Sequence, residues 1–292
     1  MELEMWTPGL RRWLDECARE AGFDASGVAE VSDPESLAAA QDAERFSEWV
    51  ESGRAGEMEY LKRRDEEGNL FRSALQVALP WARSVVVCAM NCNAEAPRSI
   101  EAAPPDTGWI ACYAWSGRTL EDGTQVPTDY HNELLGRLRR IEAGLLAQTT
   151  CTTRCYVDTG PLIERSLAAQ AGVGWIGKNT CVLNQTLGSW ILLGVIVTSL
   201  PVEAQEPAVL AADRCGSCTR CIDACPTDAL LGSSAPDAPR EMDASRCIAY
   251  LTIEKKGAIE EGLRSAMGRQ VFGCDICQDV CPWNRKAPIG SR

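Results

Sequence analysis

The sequence predicts an α+β protein: a sheet with flanking helices over residues 1–200, followed by a second, cysteine-rich domain over residues 201–292. Strand-like and helix-like segments are intermixed up to about Pro201 without the regular alternation of a doubly wound fold. Beyond that point the chain changes to cysteine-rich loops and short helices. A length of 292 residues is sufficient for one large domain or two modest ones with a substantial buried core.

Three segments of the first domain carry the strongest secondary-structure signals. Residues 7–22 are predicted to form a helix with Thr7 as N-cap and Pro8 at the first helical position. The run "SVVVCAM" at 84–90 is typical of a buried strand. A long helix is expected over residues 130–148, with an apolar face repeating at helical spacing.

The intervening and following segments are less regular. Residues 94–128 are predicted to be irregular because they contain paired prolines and a polar, glycine-containing stretch. A short helix is expected from Pro161 to Gly172, and the loop "GVGWIGKN" leads into strands at about 180–184 and 190–199. These segments complete the predicted sheet.

The composition is that of a soluble globular protein, with 45% hydrophobic and 24% charged residues. The N-terminal "MELEMWTPGL" is acidic and has no apolar run of the kind a signal peptide needs. The longest apolar stretch, at residues 190–200, is too short to span a bilayer. We therefore expect a cytoplasmic protein that does not enter a membrane.

The formal net charge is −12, with a pI near 4.8. That balance argues against a broad nucleic-acid-binding surface, which would need clustered Lys and Arg to replace counterions. Local basic patches at 60–64, 136–140 and 254–257 are compatible with a smaller nucleic-acid-binding surface, although such runs are usually solvated faces.

Fifteen cysteines are the most informative feature of the composition. In a reducing compartment, a dense cysteine pattern indicates metal rather than disulfides. The run "CGSCTRCIDACP" has the C-x2-C-x2-C-x3-C-P spacing of two-cluster bacterial ferredoxins, in which the fourth cysteine ligates the other cluster. A second, shorter C-x2-C-x3-C-P motif begins at Cys274 and needs one more ligand from a distance, which Cys247 can supply.

These motifs predict two [4Fe-4S] clusters. The first cluster group comprises Cys215, Cys218, Cys221 and Cys281, and the second cluster group comprises Cys225, Cys247, Cys274 and Cys277. Zinc bound by paired C-x2-C motifs is the alternative, but it leaves the two C-x3-C-P endings unexplained. Because some 200 residues precede the clusters, we expect the electrons to be used within this chain. A non-enzymatic electron-transfer protein is the alternative from a different class.

Three long segments resemble one family. They are "VDTGPLIERSLAAQAGVGWIGKNTCVLN", the ferredoxin run, and "CIAYLTIEKKGAIEEGLRSAMGRQVFGCDICQDVCPWNR". They are similar to the epoxyqueuosine reductases, cobalamin-dependent enzymes of the last step of queuosine formation in tRNA. The segments "GEMEYLKRR" and "WIACYAW…DYH" fit the same family, so the resemblance covers nearly the whole chain.

The resemblance implies a cobalamin held between a nitroreductase-like N-terminal domain and the ferredoxin-like domain, related to the arrangement in reductive dehalogenases. Electrons would pass through the two clusters to cobalt and reduce the epoxide on the modified base. It also implies an external low-potential donor of flavodoxin or ferredoxin type, and we expect a monomer. A related corrinoid reductase of another small electrophile, such as an organohalide, is the nearest alternative.

Asp158, in "VDTGP", matches the position of the family's proposed general acid. The departing epoxide oxygen needs a proton, and a carboxyl group holds one near neutral pH when it is partly shielded from water. An Asp just ahead of a helix often stabilises the helix start instead. With Pro161 expected at the first helical position, the cap would be nearer Gly160, which favours the catalytic role for Asp158.

The remaining site residues follow from the resemblance alone. It implies substrate-side roles for Asp129 and His131 of "DYH", although a lone histidine is more often structural, and it turns Lys256 towards tRNA. It implies that the contacts to cobalamin come from Arg63, Arg165, Lys178, Asn179 and Ala249.

Two departures from the family pattern bear on the substrate side. The segment 116–128 is longer than the family's usual link and is expected to lengthen a loop at the substrate mouth. The sequence ends ten residues after Pro282, whereas many family members continue into a helical-repeat domain that helps hold tRNA. Together with the net negative charge, these departures lead us to expect that the protein differs from the family in its affinity for tRNA rather than in its redox chemistry.

Overall fold

A computed structural model of the protein describes residues 5–33, 36–202, 210–235 and 240–290. The helices in these ranges are α1 (Pro8–Glu20), α2 (Leu37–Glu51), α3 (Leu75–Ala78), α4 (Tyr130–Leu146), α5 (Glu164–Gln170), α6 (Arg220–Asp223), α7 (Ile248–Ile253), α8 (Glu261–Arg264) and α9 (Ile276–Asp279). The strands are β1 (Ala25–Glu30), β2 (Ser84–Asn91), β3 (Trp109–Ile110), β4 (Gly117–Thr119), β5 (Gln125–Pro127), β6 (Thr153–Tyr156), β7 (Trp175–Ile176), β8 (Val182–Leu183), β9 (Ile191–Thr198) and β10 (Gln270–Phe272).

Four antiparallel strands form the main sheet, in the order β1-β2-β9-β6. The two central strands are almost entirely buried because helices cover both faces. Alternate residues of β2 serve the two faces: Val86 and Cys88 join one core, and Val85 and Val87 join the other. An antiparallel sheet with helices packed on it confirms the predicted α+β class.

Helices α1 and α4 cover one face of the sheet, and α3 and α5 cover the other. The predicted apolar face of α4, made by Leu134, Leu138, Ile141 and Leu145, is fully buried against the sheet. Gly194 of β9 allows this close approach, since a Cβ at that position would stand 2.9 Å from a Leu138 methyl group.

Several predicted elements are confirmed. Helix α1 has Thr7 as its N-cap, with the side-chain hydroxyl accepting from the Leu10 amide at 3.1 Å, and Gly22 follows it in the left-handed conformation. Helix α5 differs from its prediction, because it begins at Glu164 rather than at Pro161. The Leu162 side chain is buried in the core and its carbonyl accepts from Arg72, which keeps the preceding turn out of the helix.

The segment predicted to be irregular contains short strands. β4 and β5 pair as a hairpin within the long link between Trp115 and Asp129, and two hydrogen bonds between Ser116 and Thr128 close its base. β3 pairs in parallel with β10, so the cysteine-rich region is joined to the first domain by a small two-stranded sheet. The domain boundary near residue 200 stays a prediction, since residues 203–209 lie outside the described ranges.

Within the described residues, no helix combines the length and the apolar character that crossing a bilayer requires.

Candidate functional site

The Asp158 carboxylate lies at the centre of a polar group contributed by two elements. It accepts a hydrogen bond from the Tyr130 hydroxyl at 3.0 Å, and the Nε2 atom of His131 is 3.7 Å from the same oxygen. Tyr130 and His131 occupy the first turn of α4, and Asp129 is its N-cap. The sequence-predicted residues Asp158, His131 and Asp129 are therefore brought together, with Tyr130 between them.

Asp129 fixes the orientation of His131. Its carboxylate accepts from the His131 amide at 2.9 Å and contacts the ring Nδ1 at 2.7 Å. These hydrogen bonds lower the pKa of Asp129, with the ring contact as the main cause. A carboxylate on Nδ1 directs the other ring nitrogen, Nε2, towards Asp158.

The backbone at Asp158 is in the left-handed region, with φ of 55°. Its amide donates to the Glu164 carboxylate at 2.7 Å, so the first residue of α5 reaches back to hold the loop. Asp158 is therefore not the N-cap of α5, which is Ile163. The Asp158 side chain is 65% exposed, so the protein alone does not supply the shielding expected for a general acid.

Glu164 is the more strongly shielded carboxyl group of the pair. Burial raises its pKa to about 7, and the neighbouring charge of Asp158 acts in the same direction. The Asp158 amide and the guanidinium groups of Arg72 and Arg165 oppose the shift. The loop is thus anchored by a carboxyl group that changes charge near neutral pH.

Aromatic rings form the wall beside Asp158. Tyr113 packs edge-to-face on Tyr130, with ring centroids 5.9 Å apart, and also contacts Phe272 of β10 at 6.2 Å. Burial, with a smaller effect of Asp158, raises the pKa of Tyr113 to about 12, and burial is also the main cause of the raised pKa of Tyr130. Both phenols are therefore hydrogen-bond donors at neutral pH.

The cysteine-rich region adjoins this aromatic wall. Glu254, which follows helix α7, accepts a hydrogen bond from Tyr60 at 3.1 Å. Burial raises the pKa of Tyr60 to about 12, and the charge of Asp158 is among the smaller causes, so Tyr60 lies near Asp158. The side chains of Tyr60, Ile253 and Phe272 are exposed although they are large, and together with the Asp158 group we call them the Asp158 surface.

The thiols of the first cluster group lie near one another. Burial raises the pKa of Cys221 to about 11, and Cys281 and Cys215 are the next causes. Burial also raises the pKa of the Cys281 thiol, and Cys215 and Cys218 are among the charged neighbours that act in the same direction. Cys281 is therefore beside the three cysteines of the ferredoxin run despite more than fifty intervening residues.

The second cluster group is assembled from three separate segments. Burial raises the pKa of Cys274 to about 12, with Cys247 and Cys225 as further causes. Cys277 has Cys274 and Cys247 among its charged neighbours. Cys247 directly precedes α7 and Cys274 follows β10, so this group is joined in sequence to the elements that supply Ile253 and Phe272.

All eight cysteines of the two cluster groups are free of disulfides. Each group therefore offers four thiols, which is the number of thiolates that a [4Fe-4S] cluster binds.

The structure places Lys178 and Asn179 in the loop between β7 and β8, where both are buried. The Lys178 ammonium donates to the Gly216 carbonyl at 2.6 Å, within the ferredoxin run. Arg165, on the first turn of α5, donates to the Thr180 carbonyl at 3.1 Å. Lys178 therefore lies beside the first cluster group, whereas Arg165 lies closer to the Asp158 loop.

The other sequence-predicted residues are more scattered. Ala249 is in α7, and its amide is hydrogen bonded to the Cys247 thiol. The Lys256 amide donates to Glu57 at 2.9 Å, just beyond α7. Arg63 is exposed and stacks over the Phe71 ring at 5.1 Å. The structure does not bring Arg63 into contact with the Asp158 group.

Sequence reasoning missed four residues of this region: Tyr113, Tyr130, Glu164 and Cys181. Cys181 lies in the β7–β8 loop with its thiol hydrogen bonded to Cys277. Tyr130 stood within the "DYH" motif, so its position between two candidate polar residues was an available signal. The contacts of Cys181 depend on the fold alone.

Comparison with protein families gives two matches. Residues 72–159 match the family described as "Epoxyqueuosine reductase QueG, DUF1730". Residues 214–284 match the "4Fe-4S double cluster binding domain". The second match confirms the prediction of two [4Fe-4S] clusters.

Whole-chain relatives agree with these matches. The epoxyqueuosine reductase of Pseudomonas aeruginosa is 37% identical over 284 residues, which are 96% of this chain and 71% of that protein. That of Xanthomonas campestris pv. campestris is 36% identical over 278 residues, 92% of this chain and 68% of that protein. The chain belongs to the epoxyqueuosine reductase family.

Solved structures of this family superpose on the chain. An epoxyqueuosine reductase crystallised with an epoxyqueuosine-modified tRNA-Tyr stem loop matches with a TM-score of 0.75 and 31% identity, over 96% of this chain and 66% of that one. The Bacillus subtilis enzyme, solved with its catalytic aspartate loop swung out of the active site, gives 0.71 and 30% over the same shares. The chain thus spans about two thirds of these family members.

A more distant likeness extends the fold. A catabolic reductive dehalogenase matches with a TM-score of 0.52 over 94% of this chain and 32% of that protein, at 16% identity. This likeness bears out the expected relation to the dehalogenase fold.

Proposed function

We propose that the protein reduces epoxyqueuosine to queuosine in tRNA, with electrons passing through the two clusters to cobalamin and Asp158 donating the proton. One observation carries the proposal: in a member of the epoxyqueuosine reductase family, Asp158, Tyr130 and His131 meet, and Tyr113 beside them contacts Phe272, two residues before Cys274. The proposed proton donor is therefore linked through aromatic side chains to a segment that carries a ligand of the second cluster.

The Asp158 surface fits a cobalamin. Tyr60, Ile253 and Phe272 expose large side chains there, and such a surface suits a large planar macrocycle. Arg165 and the backbone of Ala249 would hold its polar edge. When bound, cobalamin supplies the low-potential metal centre that transfers electrons to the substrate.

The protein's own groups manage the proton. The Asp158 carboxyl group is the donor to the epoxide oxygen as the C–O bond breaks, because an alkoxide is a poor leaving group near neutral pH. Tyr130 orients the carboxyl group through its hydroxyl, and His131, held by Asp129, is close enough to return a proton from solvent. The Asp158 carboxyl group is then shielded from water only when the substrate covers the Asp158 surface.

We also propose an order for the clusters. The second cluster group includes Cys247 and Cys274, which directly precede α7 and closely follow β10, the elements that supply Ile253 and Phe272. The first cluster group packs against the β7–β8 hairpin. We therefore propose that an external low-potential donor of flavodoxin or ferredoxin type reduces the first cluster, and that the second passes electrons to the Asp158 surface.

Recognition of tRNA belongs to the same proposal. A relative was crystallised with an epoxyqueuosine-modified stem loop, and Lys256 here follows α7, two residues beyond Glu254. The hairpin of β4 and β5 precedes Asp129 in the chain, and we propose that it borders the path by which the anticodon base enters. We expect the protein to act as a monomer in the cytoplasm.

Replacing Asp158 by Asn tests the proposal. The amide cannot donate the carboxyl proton, so turnover of epoxyqueuosine-containing tRNA should fall by about 10²- to 10⁴-fold. Iron content and cobalamin binding should be unchanged, because Asp158 ligates neither cluster. Asp106→Asn, in an exposed turn, is the matched control and should keep full activity. Full activity of Asp158→Asn would remove Asp158 from the reaction.

A further inference from the structure

We infer that Lys178 and Trp175 of the β7–β8 hairpin raise the reduction potential of the first cluster, by placing a positive charge and an N–H donor against it. The inference rests on the two-cluster assignment and is independent of the substrate. The resemblance placed Lys178 with cobalamin, whereas its contact in the structure is with the ferredoxin run.

The ammonium group of Lys178 is in an unusual place for a lysine. Its side chain is only 1% exposed, and its hydrogen-bond acceptor is the carbonyl of Gly216, between Cys215 and Cys218. In the parts of the chain that the structure describes, no carboxylate pairs with it. A buried cation is costly unless a negative charge compensates it. A thiolate-ligated cluster held by Cys215 and Cys218 provides that charge.

Trp175 gives an independent observation. Its indole is 4% exposed and packs against Cys281 and Cys215, two members of the first cluster group. The Nε1 atom is buried, and no acceptor for it lies within the described residues. An indole N–H can only donate, and buried donors are nearly always paired. The sulfur atoms of a cluster bound by these two cysteines are acceptors that suit this donor.

The loop between β7 and β8 is held firmly enough to present these groups. The Gly177 amide donates to the Cys181 carbonyl at 2.9 Å, and the Thr180 amide donates to the Gly177 carbonyl at the same distance. A Cβ at Gly174 would stand 2.4 Å from the Leu183 carbonyl oxygen, so the two strands approach as closely as glycine permits. Asn179 adds a third buried nitrogen, Nδ2, that has no acceptor among the described residues.

The physical consequence concerns the added electron. Reduction makes a cluster more negative, so a nearby ammonium group and N–H donors to sulfur stabilise the reduced state more than the oxidised state. In the proposed order of electron transfer the first cluster receives the electrons, and a raised potential favours electron uptake there. The hairpin then determines how readily the protein accepts electrons from a low-potential donor.

The test is an anaerobic redox titration of the reconstituted protein, followed by electron paramagnetic resonance and accompanied by iron analysis. Lys178→Met removes the charge but keeps the length of the side chain, and Trp175→Phe removes the N–H but keeps an aromatic ring. Lys286→Met removes an exposed lysine five residues after Cys281 and is the matched control.

At full iron content, Lys178→Met should lower the midpoint potential of one cluster, with at least a tenfold loss of its reduced form at fixed potential. That change corresponds to about 59 mV for a one-electron couple. Trp175→Phe should shift the same cluster in the same direction by less, and Lys286→Met should shift neither. Unchanged potentials in fully loaded Lys178→Met, or equal shifts of both clusters, would overturn the inference. If Lys178→Met does not load iron, Trp175→Phe decides: a lower potential supports the inference and an unchanged one rejects it.

Discussion

At the scale of single residues, Glu164 determines where Asp158 stands. The left-handed backbone of Asp158 costs on the order of 1 kcal/mol for a residue other than glycine, so other contacts must hold it. The Glu164 carboxylate on the Asp158 amide and the Tyr130 hydroxyl on its side chain are those contacts. Glu164 is therefore a positioning residue, and Asp158 is the group that we propose reacts.

Glu164 also makes the stability of the protein depend on pH. Its pKa is raised from 4.5 to about 7 by burial, so between these values the folded state binds more protons than the unfolded state. The stabilising contribution is complete below pH 4.5 and is lost as the pH rises through about 7. Glu164→Gln, which is neutral throughout, should raise the free energy of unfolding by about 2 kcal/mol at pH 8 and change it little at the acid end.

Thermal melts across this pH range measure the effect. Gln retains an oxygen for the Asp158 amide, so turnover should persist in Glu164→Gln and should fall in Glu164→Ala, which lacks the acceptor. Melting temperatures of the wild type and Glu164→Gln that stay parallel from acid to alkaline pH would contradict the assignment of the titration to Glu164.

At the scale of elements, the sequence predicted those whose signals are local. Helices α1 and α4 and strand β2 carry caps, periodicity or an uninterrupted apolar run, and the structure confirms them. The predicted start of α5 was wrong because Pro161 favoured a helix there, while the burial of Leu162 and the hydrogen bond from Arg72 keep the preceding turn out of the helix. The sequence also gave no sign of Lys178 beside Gly216, since that contact spans 38 residues and depends on the packing of the hairpin.

The crossed ligand sets are the element-scale claim most open to test. Cys225→Ser should remove iron from the second cluster group and leave much of the iron of the first, because Cys225 lies beside Cys274 rather than with the rest of its own run. Iron analysis and the resonance signals of the two clusters give the result. Equal loss of both clusters in a folded protein would count against the crossed assignment.

Cys181→Ala is the matched control for this experiment. Its thiol is hydrogen bonded to Cys277, yet it belongs to neither ferredoxin-type motif. Both clusters should therefore load fully in this variant. Loss of the second cluster in Cys181→Ala would show that Cys181, and not one of the four assigned cysteines, is a ligand.

At the scale of the whole molecule, the net charge of the protein opposes the binding of its proposed substrate. The chain carries a formal net charge of −12, and thiolate-ligated clusters add to it, while the proposed substrate is a polyanion. Binding of tRNA must therefore depend on local contacts near the Asp158 surface rather than on the net electrostatic potential of the protein. We propose that Lys256 and the β4–β5 hairpin make such contacts.

An anaerobic assay tests most directly whether this chain, as we propose, reduces epoxyqueuosine in tRNA. The clusters are reconstituted, cobalamin and a strong reductant are added, and the conversion of epoxyqueuosine-containing tRNA is followed. We expect conversion to the queuosine form that requires cobalamin and is lost in Asp158→Asn. Cobalamin binding without any conversion would contradict the assigned substrate, and failure of the fully iron-loaded protein to bind cobalamin would contradict the enzyme assignment itself.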